Sequence, residues 1–147
     1  MFVKRMRAGW GDMDFNAHMR NTAYLDKAAD VRLMFFAENA FSIEEFIRLR
    51  IGPVVMRDEV EYFREVNLLD ELDVSLSLAG LAEDGSRFRL RNDFVRLDGT
   101  PCARVTSTGG WLALATRKLV VPPGGLLNAL RTLPLAEDFE VLPSSIK

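Results

Sequence analysis

The residues best suited to chemistry lie together in residues 10–24, WGDMDFNAHMRNTAY. In fifteen positions this stretch holds two carboxylates, the only histidine of the chain and two asparagines, namely Asp12, Asp14, His18, Asn16 and Asn21. A carboxylate can act as a nucleophile or as a general base, and a histidine can transfer a proton near neutral pH. Any catalytic site of this chain is therefore expected to begin here.

The elements on either side determine how these residues would be presented. Residues 2–10 mix apolar and basic residues in a way that permits a strand, and residues 21–38 predict a helix with a wide apolar face. Asp14 would then lie in a strand-to-helix loop. The start of a helix offers free backbone N–H groups and the positive end of the helix dipole, which favour a developing negative charge.

The remainder of the chain alternates between turns and strands. Ser42, with Glu45 three residues later, has the form of a capping box and predicts a short second helix over residues 42–50. Strand patterns follow at residues 54–66, 72–78, 87–94 and 101–114, and a last short helix is predicted at 126–133. Asp84-Gly85 and Asp98-Gly99 predict tight turns. The pattern by itself indicates an α+β domain with an antiparallel sheet and one long helix.

Two patches of the sequence resemble a family. Gly11-Asp12-Met13-Asp14, followed by His18 and Asn21-x-x-Tyr24, is similar to the D-x-D-x-x-G-H-V-N-N-x-x-Y signature of hotdog-fold acyl-CoA thioesterases, in the 4-hydroxybenzoyl-CoA thioesterase branch. Residues 62–74, YFREVNLLDELDV, resemble a second stretch of that family. The order of elements fits from about residue 3 to residue 122. Ala17 stands where the family usually has Gly, and Arg20 stands where it has the first Asn.

The resemblance implies a hotdog fold, in which an antiparallel five-stranded sheet wraps around one long helix. It implies hydrolysis of an acyl-CoA or acyl-carrier thioester, with Asp14 as nucleophile or general base and the backbone N–H of Asn21 polarising the carbonyl. Asp12 is interpreted as a structural residue of the turn. For His18, an acid–base role and a loop-fixing hydrogen bond remain equally open.

Two other functions remain open. Hotdog enoyl-CoA hydratases use an Asp and a His, and residues 14–18 look superficially like their motif, but the spacing is one residue shorter and the Pro is missing. A non-catalytic acyl-CoA binding protein is the third possibility. For the thiol carrier, the hairpin at residues 83–86 is acidic where related enzymes often have basic residues. The candidate substrate-binding residues are therefore Arg20, Arg87, Arg89, Arg117 and Lys118.

Composition limits the remaining classes of function. The 147 residues are predicted to form one domain, and a net charge of −2 gives no reason to expect nucleic acid binding. One cysteine, Cys102, and one histidine cannot supply a structural zinc site, and we predict no metal or organic cofactor. No signal peptide or membrane span is expected, so the predicted location is cytoplasmic. A homodimer or a tetramer of dimers is expected, because residues 54–66 could pair with their symmetry mate.

Overall fold

The computed structural model describes residues 1–146 and is an α+β domain. A short 3-10 turn, Trp10–Asp12, follows the first strand. The three helices and seven strands lie in the following order: β1 (Phe2–Arg7), α1 (Asn21–Glu38), α2 (Ile43–Leu49), β2 (Ile51–Tyr62), β3 (Glu71–Ala82), β4 (Arg87–Arg96), β5 (Pro101–Ala113), β6 (Lys118–Val120), α3 (Gly124–Arg131) and β7 (Leu135–Leu142).

The five predicted strands form one antiparallel sheet in the order β1-β3-β4-β5-β2. Two further strands extend it: β6 forms a hairpin with β5, and β7 pairs with β3 in parallel. Strand β7 was not expected from its sequence, LAEDFEVL, which is acidic and largely exposed. Its backbone pairs with β3, and its Glu140 and Asp138 also form ion pairs with Arg89 and Arg91 on β4.

The long helix α1 begins and ends at the predicted residues and covers the inner face of the sheet. Its buried residues recur at helical spacing and include Tyr24, Ala28, Val31 and Phe35. Beyond them Phe36 packs edge-on against Trp111 of β5, at 5.7 Å between ring centroids. The hotdog arrangement predicted from the resemblance is therefore confirmed. No helix among residues 1–146 is long and apolar enough to span a membrane.

The edge strand β2 differs from its predicted range of 54–66. It starts earlier, at Ile51, and it ends at Tyr62 because the next two N–H groups, of Phe63 and Arg64, both donate to the carbonyl of Cys102. A bulge at Met56 lies opposite Gly109, where a Cβ atom would stand 2.2 Å from the carbonyl oxygen of Val54. The two backbones therefore approach closely at Gly109, and the bulge lies on the partner strand β2.

Candidate active site

The loop between β1 and α1 is a small closed hairpin. Met13 and Met19 form an isolated antiparallel bridge, and the Asp14 N–H donates to the His18 carbonyl at 2.9 Å. The Ala17 N–H donates to the Asp14 carbonyl at 3.2 Å. Met19 also donates to the carbonyl of Val66, at 2.8 Å, in the segment that follows β2. The loop is therefore held by backbone hydrogen bonds on both sides, which fixes the position of Asp14.

The Asp14 carboxylate is oriented by the loop backbone and is exposed. Its Oδ1 accepts from the N–H of Asn16 at 2.8 Å and from the N–H of His18 at 3.2 Å. Both of these bonds are accepted by the same carboxylate oxygen. An ionised carboxylate held in this way can act on a substrate without first breaking a side-chain ion pair.

Ala17 adopts a left-handed backbone conformation, with φ of 61°. Glycine takes this conformation without cost, whereas a Cβ makes it unfavourable by roughly 1–2 kcal/mol. The loop thus keeps the backbone path that glycine would give at this position, although the sequence has alanine. A glycine at position 17 would adopt this conformation without that cost.

Asp12 lies in the turn-holding position expected for it. Its Oδ2 accepts from the Gly9 N–H at 2.8 Å and from the Lys27 ammonium at 2.9 Å. Burial works to raise the pKa of Asp12, but the Gly9 and Lys27 contacts outweigh it and hold the pKa below its ordinary value. Its backbone carbonyl accepts from the Arg20 N–H at 2.7 Å, which ties the turn to the start of α1.

Asn21 is the first residue of α1, so its backbone N–H has no acceptor within the helix. Its side-chain Oδ1 accepts from the Thr22 N–H at 2.9 Å. Arg20 precedes it, and its guanidinium binds back to the loop through the Gly11 carbonyl and the Thr22 hydroxyl, both at 2.9 Å. The N-terminus of the helix therefore presents the N–H of Asn21 beside the loop that carries Asp14, since the Thr22 and Ala23 N–H groups already donate to Asn21 Oδ1 and the Arg20 carbonyl.

His18 contacts Asp14 only through its backbone. Both of these hydrogen bonds, one donated and one accepted, belong to the His18 peptide groups, and its imidazole takes part in neither. This arrangement suits a residue that shapes the loop.

A pair of tyrosines beside the loop received no role in the sequence analysis. Tyr24 of α1 and Tyr62 of β2 pack edge to face at 5.3 Å between ring centroids. Burial raises the pKa of Tyr24 to about 12, and the neighbouring Asp14 carboxylate also contributes to the rise. Tyr24 lies in the first and Tyr62 in the second of the two sequence patches that resemble the family. This shared resemblance was the signal from which their proximity could have been predicted.

The basic candidates do not gather at the loop. Arg89 pairs with Glu140 at 2.5 Å, and Arg87 donates to the Ser145 hydroxyl at 3.3 Å, so the C-terminal segment engages both. Arg117 is exposed in the turn between β5 and β6, and Lys118 is exposed at the start of β6. The structure therefore brings Asp14, His18, Arg20 and Asn21 together, and it leaves the four other basic candidates elsewhere on the sheet.

The fold is similar to several solved structures. Slr0204, a 1,4-dihydroxy-2-naphthoyl-CoA thioesterase from Synechocystis, has a TM-score of 0.79 at 16% identity, with 88% of this chain and 95% of that chain covered. The hypothetical protein SAV2348 from Staphylococcus aureus, in complex with CoA, has a TM-score of 0.81 at 19% identity, with coverage of 99% and 90%. YbaW, a probable thioesterase from Escherichia coli, has a TM-score of 0.76 at 21% identity, with coverage of 90% and 98%.

No curated protein sequence matches the chain. The family model for the thioesterase-like superfamily matches residues 8–130, which include the loop, α1 and strands β2 to β5. The match confirms the predicted enzyme class, a thioesterase, and the chain belongs to the thioesterase-like superfamily.

Proposed function

We propose that the protein hydrolyses an acyl-CoA or acyl-carrier thioester, with Asp14 as the catalytic carboxylate. The observation that carries the proposal is the fixed Asp14 carboxylate beside the start of α1. Two loop N–H groups orient its Oδ1, and the next helix begins seven residues later with the free N–H of Asn21. A carboxylate can attack the thioester carbonyl or activate water, and a helix N-terminus can stabilise the negative charge that develops on the carbonyl oxygen.

The division of roles follows from the chemistry of each group. The Asn21 N–H would donate to the thioester oxygen as negative charge develops there, a contribution of roughly 3 kcal/mol when well placed. Asp14 would attack the carbonyl carbon or remove a proton from the attacking water. His18 would hold the loop, because its peptide groups already contact Asp14.

The proposed thiol carrier is coenzyme A. SAV2348, which has a similar fold, was solved in complex with CoA. Of the basic candidates, Arg117 and Lys118 are the better proposal for the phosphates, because Arg87 and Arg89 are engaged by the C-terminal segment. The cytoplasm is the proposed location, since the single Cys102 is buried as a free thiol and suits a reducing compartment.

The catalytic proposal is tested with acyl-CoA esters of graded chain length while free thiol is followed. Asp14→Asn should lower the rate on every responsive ester by about 10² to 10⁴. Asp30→Asn, on the exposed side of α1, is the control and should keep the parent rate. Equal rates for Asp14→Asn and the parent would reject Asp14, and binding without turnover by the parent would indicate an acyl-CoA binding protein.

We also propose a homodimer that shares its active sites across β2. This strand is an edge of the sheet, and its Val55 and Met56 are 46% and 47% exposed. Pairing with the same strand of a second copy would remove the exposed edge. The aromatic side chains of Trp10 and Phe15, which flank Asp14 and are largely exposed, would then have a second chain to contact.

Solution mass tests the dimer. The parent should have twice the 16.6 kDa chain mass or a higher multiple of two. Val55→Lys should yield monomers with little activity, because a charge on an edge strand opposes pairing. Val3→Lys, on the opposite edge strand β1, is the matched control and should leave mass and activity unchanged. A fully active parent monomer would contradict both the dimer and the shared site.

A further inference from the structure

Arg96, the last residue of β4, lies on the inner face of the sheet. It continues the alternation of the buried residues Asn92 and Phe94, and its register partner on β3 is the fully buried Leu72. Its side chain therefore points to the side of the sheet that α1 covers, whereas Arg91 lies on the opposite face. The position of Arg96 needs an explanation separate from that of the outer arginines.

The guanidinium of Arg96 is bound to the chain segment that follows β2. Its Nη2 donates to the backbone carbonyl of Glu65. Its Nε is buried and has no acceptor among residues 1–146. A buried donor without a partner raises the free energy of the folded state, so the stability of the fold alone does not account for an arginine at this position.

The segment that Arg96 binds, residues 63–66, lies outside the regular strands. Strand β2 ends at Tyr62, and residues 63–65 are exposed. The first two N–H groups of the segment both donate to the Cys102 carbonyl, at 2.8 and 3.2 Å. The carbonyl of the third residue accepts from Arg96. The guanidinium therefore fixes the half of the segment that the bonds to Cys102 do not reach.

The next carbonyl of the segment holds the loop that carries Asp14. Val66 is fully buried, and its carbonyl accepts from the Met19 N–H at 2.8 Å. Met19 is itself 4% exposed and forms the bridge to Met13 that closes the loop. The hydrogen bonds within the loop fix its shape, and the bond from Met19 to Val66 fixes its position against the segment.

These contacts connect Arg96 to the Asp14 loop through neighbouring carbonyls. Arg96 binds the Glu65 carbonyl, and the Val66 carbonyl one residue later binds the loop. After the Arg96 side chain, every step is a hydrogen bond or a covalent bond of the backbone. A shift of the segment would therefore move the Asp14 carboxylate with the loop. A displacement of about 1 Å at a reacting group can lower a rate by about 10²-fold.

We propose that Arg96 is a positioning residue for thioester hydrolysis, which holds residues 63–66 so that Val66 fixes the Asp14 loop. The inference rests on the proposed function, in which Asp14 is the catalytic carboxylate. Arg96 acts through the backbone of the segment and does not contact the substrate. Its removal should therefore affect the reaction step more than the binding of the ester.

The first test compares two replacements of Arg96 on a responsive acyl-CoA ester. Arg96→Met keeps an aliphatic stem and removes every donor, so it should lower kcat by about 10- to 100-fold. KM should stay within about threefold of the parent, because the groups that bind the ester are unchanged. Arg96→Lys keeps a charge and a donor, so its kcat should lie between those of the parent and Arg96→Met.

Arg104→Met is the matched control. Arg104 lies on the neighbouring strand β5 and pairs with Asp93 at 2.7 Å on the outer face of the sheet. It should keep the parent kcat, because its ion pair does not involve residues 63–66. Three results would overturn the proposal: an unchanged kcat in Arg96→Met, a rise in KM alone, or a kcat for Arg96→Lys no higher than that of Arg96→Met.

Amide hydrogen exchange, followed by NMR, measures the hold on the loop directly. The Met19 N–H should exchange at least about 10-fold faster in Arg96→Met than in the parent. The Leu78 N–H, which donates to the Pro134 carbonyl at 2.9 Å, is the control amide and should keep its rate. Equal acceleration of both amides would indicate a general loss of stability and would contradict the proposal. Arg96→Lys is compared in the same way if Arg96→Met does not fold.

This measurement also separates the proposal from the proposed function, because it does not depend on catalysis. If the parent hydrolyses no ester but the exchange of Met19 responds to Arg96→Met, the thioesterase proposal fails and the role of Arg96 in fixing the loop stands. If esters are hydrolysed but neither kcat nor the exchange of Met19 responds, the role of Arg96 alone is rejected.

Discussion

Asp12 holds the loop that carries Asp14, and its removal should lower the free energy of unfolding. Its Oδ2 accepts from the Gly9 N–H and from Lys27, and the two side chains of the ion pair are 24% and 12% exposed. Hydrogen bonds to charged groups contribute about 1.5–3 kcal/mol, whereas exposed ion pairs contribute about 0–1 kcal/mol. The partly buried Asp12 lies between these cases, so Asp12→Ala should cost about 2 kcal/mol.

Two variants separate the charge from the hydrogen bond. Asp12→Asn keeps an oxygen for the Gly9 N–H and loses only the attraction to Lys27, so it should cost about 1 kcal/mol. For a chain of this size, the loss of about 2 kcal/mol in Asp12→Ala corresponds to a fall in Tm of about 4–8 °C. Urea unfolding and calorimetry measure these changes. Asp26→Ala is the control, because Asp26 is 72% exposed, and it should change stability by less than about 0.5 kcal/mol.

The cost of losing Asp12 should also depend on pH. Because the folded-state pKa of Asp12 is lowered, its stabilisation is present above the unfolded-state pKa of about 3.9 and is lost as pH falls through the lower folded-state value. The difference in free energy of unfolding between the parent and Asp12→Asn should therefore disappear at acid pH. The reasoning is refuted if Asp12→Ala is no less stable than Asp26→Ala at neutral pH, or if the difference between the parent and Asp12→Asn is unchanged at acid pH.

Three further changes have expected outcomes. Ala17→Gly should raise the free energy of unfolding by up to about 1 kcal/mol, because φ is 61° there, and a fall in urea midpoint would contradict this. Gly109→Ala should unfold the chain or lower its free energy of unfolding by more than about 3 kcal/mol, because its Cβ would lie 2.2 Å from the Val54 carbonyl oxygen. Gly124→Ala is the control, because a Cβ there meets nothing within 4 Å, and its Tm should stay close to that of the parent while the Tm of Gly109→Ala falls. Cys102 should resist alkylation in the native state and react after unfolding, because the thiol is buried and burial raises its pKa. Mass spectrometry follows the labelling, and fast labelling of the native protein would refute this prediction.

The sequence alone was sufficient for the elements whose signals are local. Helix α1 has its predicted bounds because a long apolar period between a polar loop and Asn39 leaves little choice of ends. The cap at Ser42 accepts from the Glu45 N–H at 3.3 Å, as the spacing predicted. The position of Asp14 ahead of a helix also followed from the order of residues, although its catalytic role stays a proposal.

Only the tertiary structure decided which distant residues meet. Arg32 of α1 donates to Asn92 of β4, and Asp58 of β2 accepts from Ser107 of β5 because the register of the two strands places these residues opposite each other. A shift of one residue in that register would turn Asp58 to the outer face. The bulge opposite Gly109 is part of what sets this register, and no local pattern indicated its position on β2.

The arginines of β4 also have partners that could not be predicted from the sequence alone. The sequence offered Arg87 and Arg89 as candidates for phosphate, because an alternating strand pattern shows only that they share a face. Folding brings β7 beside β3, and Glu140 then pairs with Arg89 while Ser145 binds Arg87. Sequence spacing determines which residues lie on one face of a strand. Only the packed structure determines which of these side chains remain free for a ligand, because their partners come from elsewhere in the chain.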